Sequence, residues 1–206
     1  MLTIDVRPLP KWLAVTACAV VLAHLLAALI DYRIAAMPSD LRDVFDLYEN
    51  ESFGHTFITL LYFIAGCLCA EAGHTRVLGR RQLWLLLAGC FWILGIDHAL
   101  LLHRAAASMF GLPTAVFVLP LLLSSLVVPF LHHLRMPPTF KALLLLSGGT
   151  YLAGAVGIDT AVAFDPNGLG TPGYGVATAL ECSLEMAGLI IFIKAMVELR
   201  CVPRDA

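Results

Sequence analysis

The chain has 206 residues, of which 60% are hydrophobic and 14% charged, with a mean hydropathy of +0.86; an ordinary soluble domain carries roughly 25% charged residues. This composition excludes a soluble globular protein and implies an integral membrane protein, whose first partner is the lipid bilayer. With 13 Lys and Arg, 15 Asp and Glu and a net charge of -2, the chain offers no basic surface for a nucleic-acid partner, and no nucleotide cofactor is expected.

A bilayer core about 30 Å thick requires about 20 consecutive apolar residues per helix. Six stretches qualify, at about 12–30, 55–71, 83–103, 113–131, 142–160 and 175–197. The expected fold class is all-α: a polytopic bundle of six transmembrane helices forming a single domain over 1–206, with no repeat or linker to divide it. Proline and glycine punctuate the connectors, as at Pro38-Ser39-Asp40, Pro137-Pro138 and the run 164–173. The first stretch is read as a span, because an apolar run of about 19 residues exceeds the 7–15 of a signal-peptide core.

Positive charge orients the bundle. With the N-terminus inside, the inner side holds Arg7, Lys11, Arg76, Arg80, Arg81, Arg135, Lys141, Lys194, Arg200 and Arg204, and the outer side only Arg33, Arg42 and Arg104. Cytoplasmic segments retain Lys and Arg, so both termini are expected in the cytoplasm of a bacterial-type inner membrane.

In chain order, the first span carries His24 in its outer half, where a lone histidine is more often a satisfied core residue than a ligand. The following loop is amphipathic: Leu41, Val44, Phe45 and Tyr48 recur at i, i+3, i+4, i+7, with Asp43, Asp46 and Asn50 on the other face. That pattern predicts a short outer-surface helix over about 39–50, capped by Ser39 and folded over the bundle mouth. Glu51, Ser52 and His55 open the second span, and Glu51 and His55 share a face if the helix has begun by then. Asp97, His98 and His103 lie in the outer half of the third; Asp97 and His98 point about 100° apart, so one of them is expected to face a shared cluster.

Pro120 and Pro129 predict bends in the fourth span. In the fifth, Gly149, Ala153 and Gly157 form a small-residue stripe, expected to be a close-packing face, and Asp159 lies near its outer end. Glu181 and Glu185 stand one turn apart on one face of the sixth, about two turns in from its outer end. The cysteines are scattered; Cys67 and Cys69 diverge by about 160° on a helix and read as small buried residues.

An ionisable side chain at mid-helix costs about 2.5–3.5 kcal/mol on insertion scales, so each requires a partner or a water-filled cavity. Here they converge on the outer half of the bundle. Glu51, His55, His98, His103, Glu181 and Glu185 are the candidate metal ligands, an oxygen and nitrogen set suited to zinc, iron or manganese. Asp97 and Glu185 are the candidate catalytic residues, with Ser52, Asp159 and His24 as polar surroundings. Such a metal activates water for attack on an ester, amide or phosphate bond of an outer-leaflet lipid, an uncoordinated carboxylate acting as base. Neighbouring carboxylates also share protons. Proton- or cation-coupled transport is therefore an alternative, as is a non-catalytic assembly subunit held together by its acids.

Three stretches resemble a group of bacterial polytopic membrane proteins without an established activity. They are Phe45-Asp46-Leu47-Tyr48-Glu49-Asn50-Glu51-Ser52 with Thr56 and Thr59, Asp97-His98 followed after four residues by His103-Arg104, and Glu181-Cys182-Ser183-Leu184-Glu185-Met186-Ala187-Gly188. That group has acids where this chain has His98, Arg104 and Cys182, so the resemblance implies a less acidic version of the same six-span site. A remoter similarity is to alkaline-ceramidase-like intramembrane hydrolases, whose zinc sites draw Ser, Asp and His from several helices. Ser52 and His55 stand three apart here where that family has four, and the last span carries carboxylates where that family has a histidine pair.

Overall fold

The structure is a computed structural model that describes residues 5–33, 38–47, 52–75, 81–100, 137–158 and 172–200. Among the described residues every element is helical: α1 (Leu9–Arg33), α2 (Ser39–Phe45), α3 (Phe53–Thr75), α4 (Arg81–Leu100), α5 (Pro138–Leu152), a π-helical stretch Ala153–Ile158 that continues α5, and α6 (Pro172–Arg200). Four of these helices, α1, α3, α4 and α6, are long and apolar enough to cross a membrane. The stretch 113–131, with Pro120 and Pro129, lies outside the described residues, as do Glu51, His103 and Asp159.

Two predicted boundaries are corrected. The surface helix has 7 residues and ends where Asp46 turns extended (ψ 115°), short of the expected 39–50. Its cap is Pro38, whose carbonyl accepts the N–H groups of Leu41 and Arg42, so Ser39 is already inside the helix. The fifth apolar stretch stays α-helical for 15 residues and then widens into the π form.

Helices α3 and α6 are central, with 56% and 50% of their apolar windows buried, against 17% for both α1 and α4. On α3 the buried face is Ile58, Leu61, Tyr62, Ala65 and Cys69; on α6 it is Met186, Leu189, Ile193 and Met196. Both follow the i, i+3/i+4, i+7 spacing of one helical face. Trp84 and Ala88 of α4 complete this core, and the Phe91 and Phe192 rings meet at 4.7 Å. Apolar side chains such as Trp12, Leu22 and Leu26 on α1 and Leu86, Ile93 and Leu100 on α4 are exposed, as a lipid-facing surface requires.

Lipid tails are as apolar as leucine, so helix pairing in a bilayer rests on close packing and hydrogen bonds rather than on water exclusion. The α5–α6 crossing illustrates this. A Cβ built on Gly188 would lie 2.7 Å from the Tyr151 backbone nitrogen and 2.9 Å from the Ser147 carbonyl oxygen, and one on Gly154 would lie 2.8 Å from the Glu181 carbonyl oxygen. Ser147 Oγ–H donates to the Gly188 carbonyl at 2.8 Å across the same crossing. The contact face is thus Ser147, Tyr151 and Gly154, not the predicted Gly149 stripe. Gly149 is exposed with open space around it; two residues from Ser147, it points about 160° away.

Helix α4 runs antiparallel to α3, and α5 and α1 run antiparallel to α6. Tyr62 faces Gly95 while Gly73 faces Trp84; Ser147 meets Gly188 while Gly154 meets Glu181; and His24 reaches Gly175. Arg200 and Glu71 form an ion pair between the C-terminal ends of α6 and α3, so these two helices are parallel. One end of the bundle therefore gathers the N-terminal halves of α3 and α6 with the C-terminal halves of α1, α4 and α5.

Candidate polar site at one end of the bundle

At that end, α3 begins on a side-chain cap. Ser52, fully buried, accepts the His55 N–H with its Oγ at 3.1 Å, and its carbonyl accepts the Thr56 N–H at 3.1 Å. Fixing the first turn fixes the face that follows, on which His55, Thr59 and Tyr62 recur at i, i+4, i+7. All three meet His98 of α4. The His55 and His98 rings stack at 4.1 Å, Thr59 Oγ1 and His98 Nδ1 share a hydrogen bond at 3.1 Å, and the Tyr62 ring lies 5.8 Å from that of His98.

The Tyr62 hydroxyl extends this α3–α4 surface to the α5–α6 pair. It shares a 2.5 Å hydrogen bond with the Tyr151 hydroxyl, the two rings standing edge to face at 78°. Tyr151 is held in place by its backbone, which rests on Gly188. One turn on, the π-helical stretch brings Gly154 against the backbone of Glu181 and Glu185; π-helical turns of this kind are frequent at functional sites. The charges of Glu185 and Asp97 act on both phenols, and that of Glu181 acts on Tyr151. His98 thus faces α3, and the Asp97 charge acts on the tyrosine pair.

Residues 12–198 match a protein-family model described as a domain of unknown function, DUF8692. The chain belongs to that family. No curated protein and no solved structure matches it.

In this DUF8692 chain the sequence-derived residues separate into three sets. His55, Asp97, His98, Glu181 and Glu185 gather around Tyr62 and Tyr151, with Ser52 as the cap beneath them. His24 lies apart from that network, buried between α1, the end of α2 and the start of α6, with both ring nitrogens bonded to backbone groups as expected of a core histidine. Glu51, His103 and Asp159 are outside the described residues. Among the described residues no three His, Cys, Asp or Glu side chains are grouped as a ligand set. The stacking of His55 on His98 explains part of this: two imidazoles that ligate one ion aim ring nitrogens at a common point, whereas stacked rings lie face to face.

The two tyrosines escaped the sequence reading because a tyrosine in an apolar span reads as core. The available signal was the His55, Thr59, Tyr62 spacing, three polar groups on one face of an apolar helix. The cysteine expectation holds for Cys69 and Cys182, which are buried, and fails for Cys18 and Cys67, which are exposed on the outside of their helices.

Proposed function

We propose that this chain is a six-span protein of a bacterial inner membrane, with both termini cytoplasmic, whose polar end opens to the outer leaflet and hydrolyses a lipid. The observation that carries this reading is the phenol pair: Tyr62 and Tyr151 are hydrogen-bonded to each other while Asp97 from one helix pair and Glu185 from the other act on both. Acids that lie close together in a low dielectric share protons. In the proposed reaction Asp97 takes a proton from the attacking water, whose oxygen bonds to the carbonyl or phosphoryl centre. Protonated Glu185 gives its proton to the departing alcohol or amine, and the phenol pair returns a proton from Asp97 to Glu185. In the metal-assisted form Glu181 and Glu185 would contribute to holding zinc, iron or manganese, which would activate the water, leaving Asp97 as base.

Three further observations support the reading. The core beyond Tyr62 toward the opposite end is apolar, built from Ala65, Cys69, Ala88, Ile193 and Met196. A site at one end, sealed from the other by such a plug, suits an enzyme acting on one leaflet better than a transporter, whose path crosses the bilayer. Helix α4 ends, and α5 begins, at opposite ends of the bundle, which supports a fourth span between them. The ten-to-three Lys/Arg bias supports the orientation.

The test is reconstitution into liposomes of phosphatidylethanolamine, phosphatidylglycerol and cardiolipin, followed by mass spectrometry of the intact lipids. The wild type is expected to release a hydrolysis product, slowed about 100-fold or more in Asp97→Asn and in Glu185→Gln. Gradient-driven proton or cation flux without any lipid product would overturn the reading in favour of transport.

A further inference from the structure

We propose that the segment Pro38–Leu47 is a strap closed over the polar end of the bundle, and that protonation of His24 releases it. The His24 ring, 4% exposed, is the point where three parts of the chain meet. Its Nδ1 lies 3.2 Å from the Leu47 backbone nitrogen and 3.2 Å from the Phe45 carbonyl oxygen, both at the end of the strap, and its Nε2 lies 3.2 Å from the Gly175 carbonyl oxygen of α6.

These contacts cannot all be made by one protonation state. The Leu47 N–H needs a lone pair on Nδ1, which only the neutral ring provides, with the proton on Nε2 donated to Gly175. In the imidazolium form both ring nitrogens are donors. Nδ1–H then turns to the Phe45 carbonyl, with the Asp46 carboxylate 3.9 Å away, and the Leu47 N–H is left against another donor. The neutral ring thus holds Leu47 and the charged ring expels it.

Leu47 is the residue that seats the strap. It is 5% exposed and fills the space beside Gly54 and Val20, where a Cβ on Gly54 would collide with its side chain. Gly54 adjoins His55, the first ring of the polar site, and the Asp46 charge reaches Cys182, between Glu181 and Glu185. The strap therefore lies over the helix ends that form the site.

Among the described residues the groups around the ring are these. The strap contributes Asp46; α1 contributes Asp31 two turns onward, paired with Arg42 of the strap at 3.9 Å, and Arg42 in turn meets Asp43 at 3.5 Å. From α6 the facing group is the Gly175 carbonyl, with Cys182 and Glu181 further along, and α3 brings Gly54 and then His55. Of these the Asp46 carboxylate is the charge closest to the ring. Imidazole is the side chain that ordinarily titrates between about pH 5 and 8, the range over which the strap is to be tested.

Hydrogen exchange read by mass spectrometry on the full chain in lipid nanodiscs tests this, with rates corrected for the intrinsic pH dependence of exchange. The test reads the strap itself, so it stands or falls separately from the proposed lipid chemistry. Between about pH 8 and about pH 5, wild-type exchange over Phe45–Leu47 is expected to rise about fivefold, the weight of one backbone hydrogen bond. His24→Asn, whose side-chain oxygen can replace Nδ1 as acceptor without titrating, is expected to show no rise. Wild-type exchange that is the same at both pH values, or an undiminished rise in His24→Asn, would overturn the proposal.

Discussion

Tyr62 and Tyr151, from helices that are not consecutive in the chain, satisfy each other's hydroxyls at 2.5 Å between the α3–α4 and α5–α6 pairs. A buried hydroxyl without a partner is costly, so the pair links the two halves of the bundle as well as the acids on either side. Removing one hydroxyl leaves the other without that partner. Tyr62→Phe and Tyr151→Phe are each expected to lower stability by about 1–2 kcal/mol. The double variant should cost little more than either single one, as a double-mutant cycle of unfolding in mixed micelles would read directly.

The α5–α6 crossing makes a prediction by contrast between glycines. Gly188→Ala places a methyl group against the Tyr151 and Ser147 backbone, and Gly154→Ala places one against Glu181 and Leu184. Backbone cannot yield as a flexible side chain can, so each is expected to cost about 1–3 kcal/mol or to part the helices. Gly149→Ala meets open space and should be neutral or slightly stabilising. Thermal denaturation of the three variants in detergent separates these outcomes.

Ser52 acts through its oxygen at the start of α3. Ser52→Ala is expected to cost about 1 kcal/mol, whereas Ser52→Gly should cost only a few tenths, the ordering of a cap and the reverse of what simple loss of packing gives. Equal losses in the two variants, measured by the same denaturation assay, would contradict the cap.

The helices were legible in the sequence because spanning a bilayer imposes a length and a polarity that few other constraints override. The predicted starts at 55, 83 and 175 lie within a few residues of Phe53, Arg81 and Pro172. What pattern could not supply was the rotation of one helix against another. Small residues at Gly149, Ala153 and Gly157 suit a packing face, yet the close approach is made by Gly188 on the partner helix. The acids were visible because charge in an apolar span is conspicuous. Tyr62 and Tyr151 were not, because their role depends on an encounter between residues 89 positions apart in the chain.

In the proposed reaction Asp97 and Glu185 serve one reacting centre through the phenol pair. The most direct measurement is lipid turnover by the wild type, Asp97→Asn, Glu185→Gln and the double variant in the same liposomes. Groups that act as a unit are not additive, so the double variant is predicted to be no slower than the slower single one. Losses that multiply, or single variants that turn over lipid at the wild-type rate, would contradict the claim.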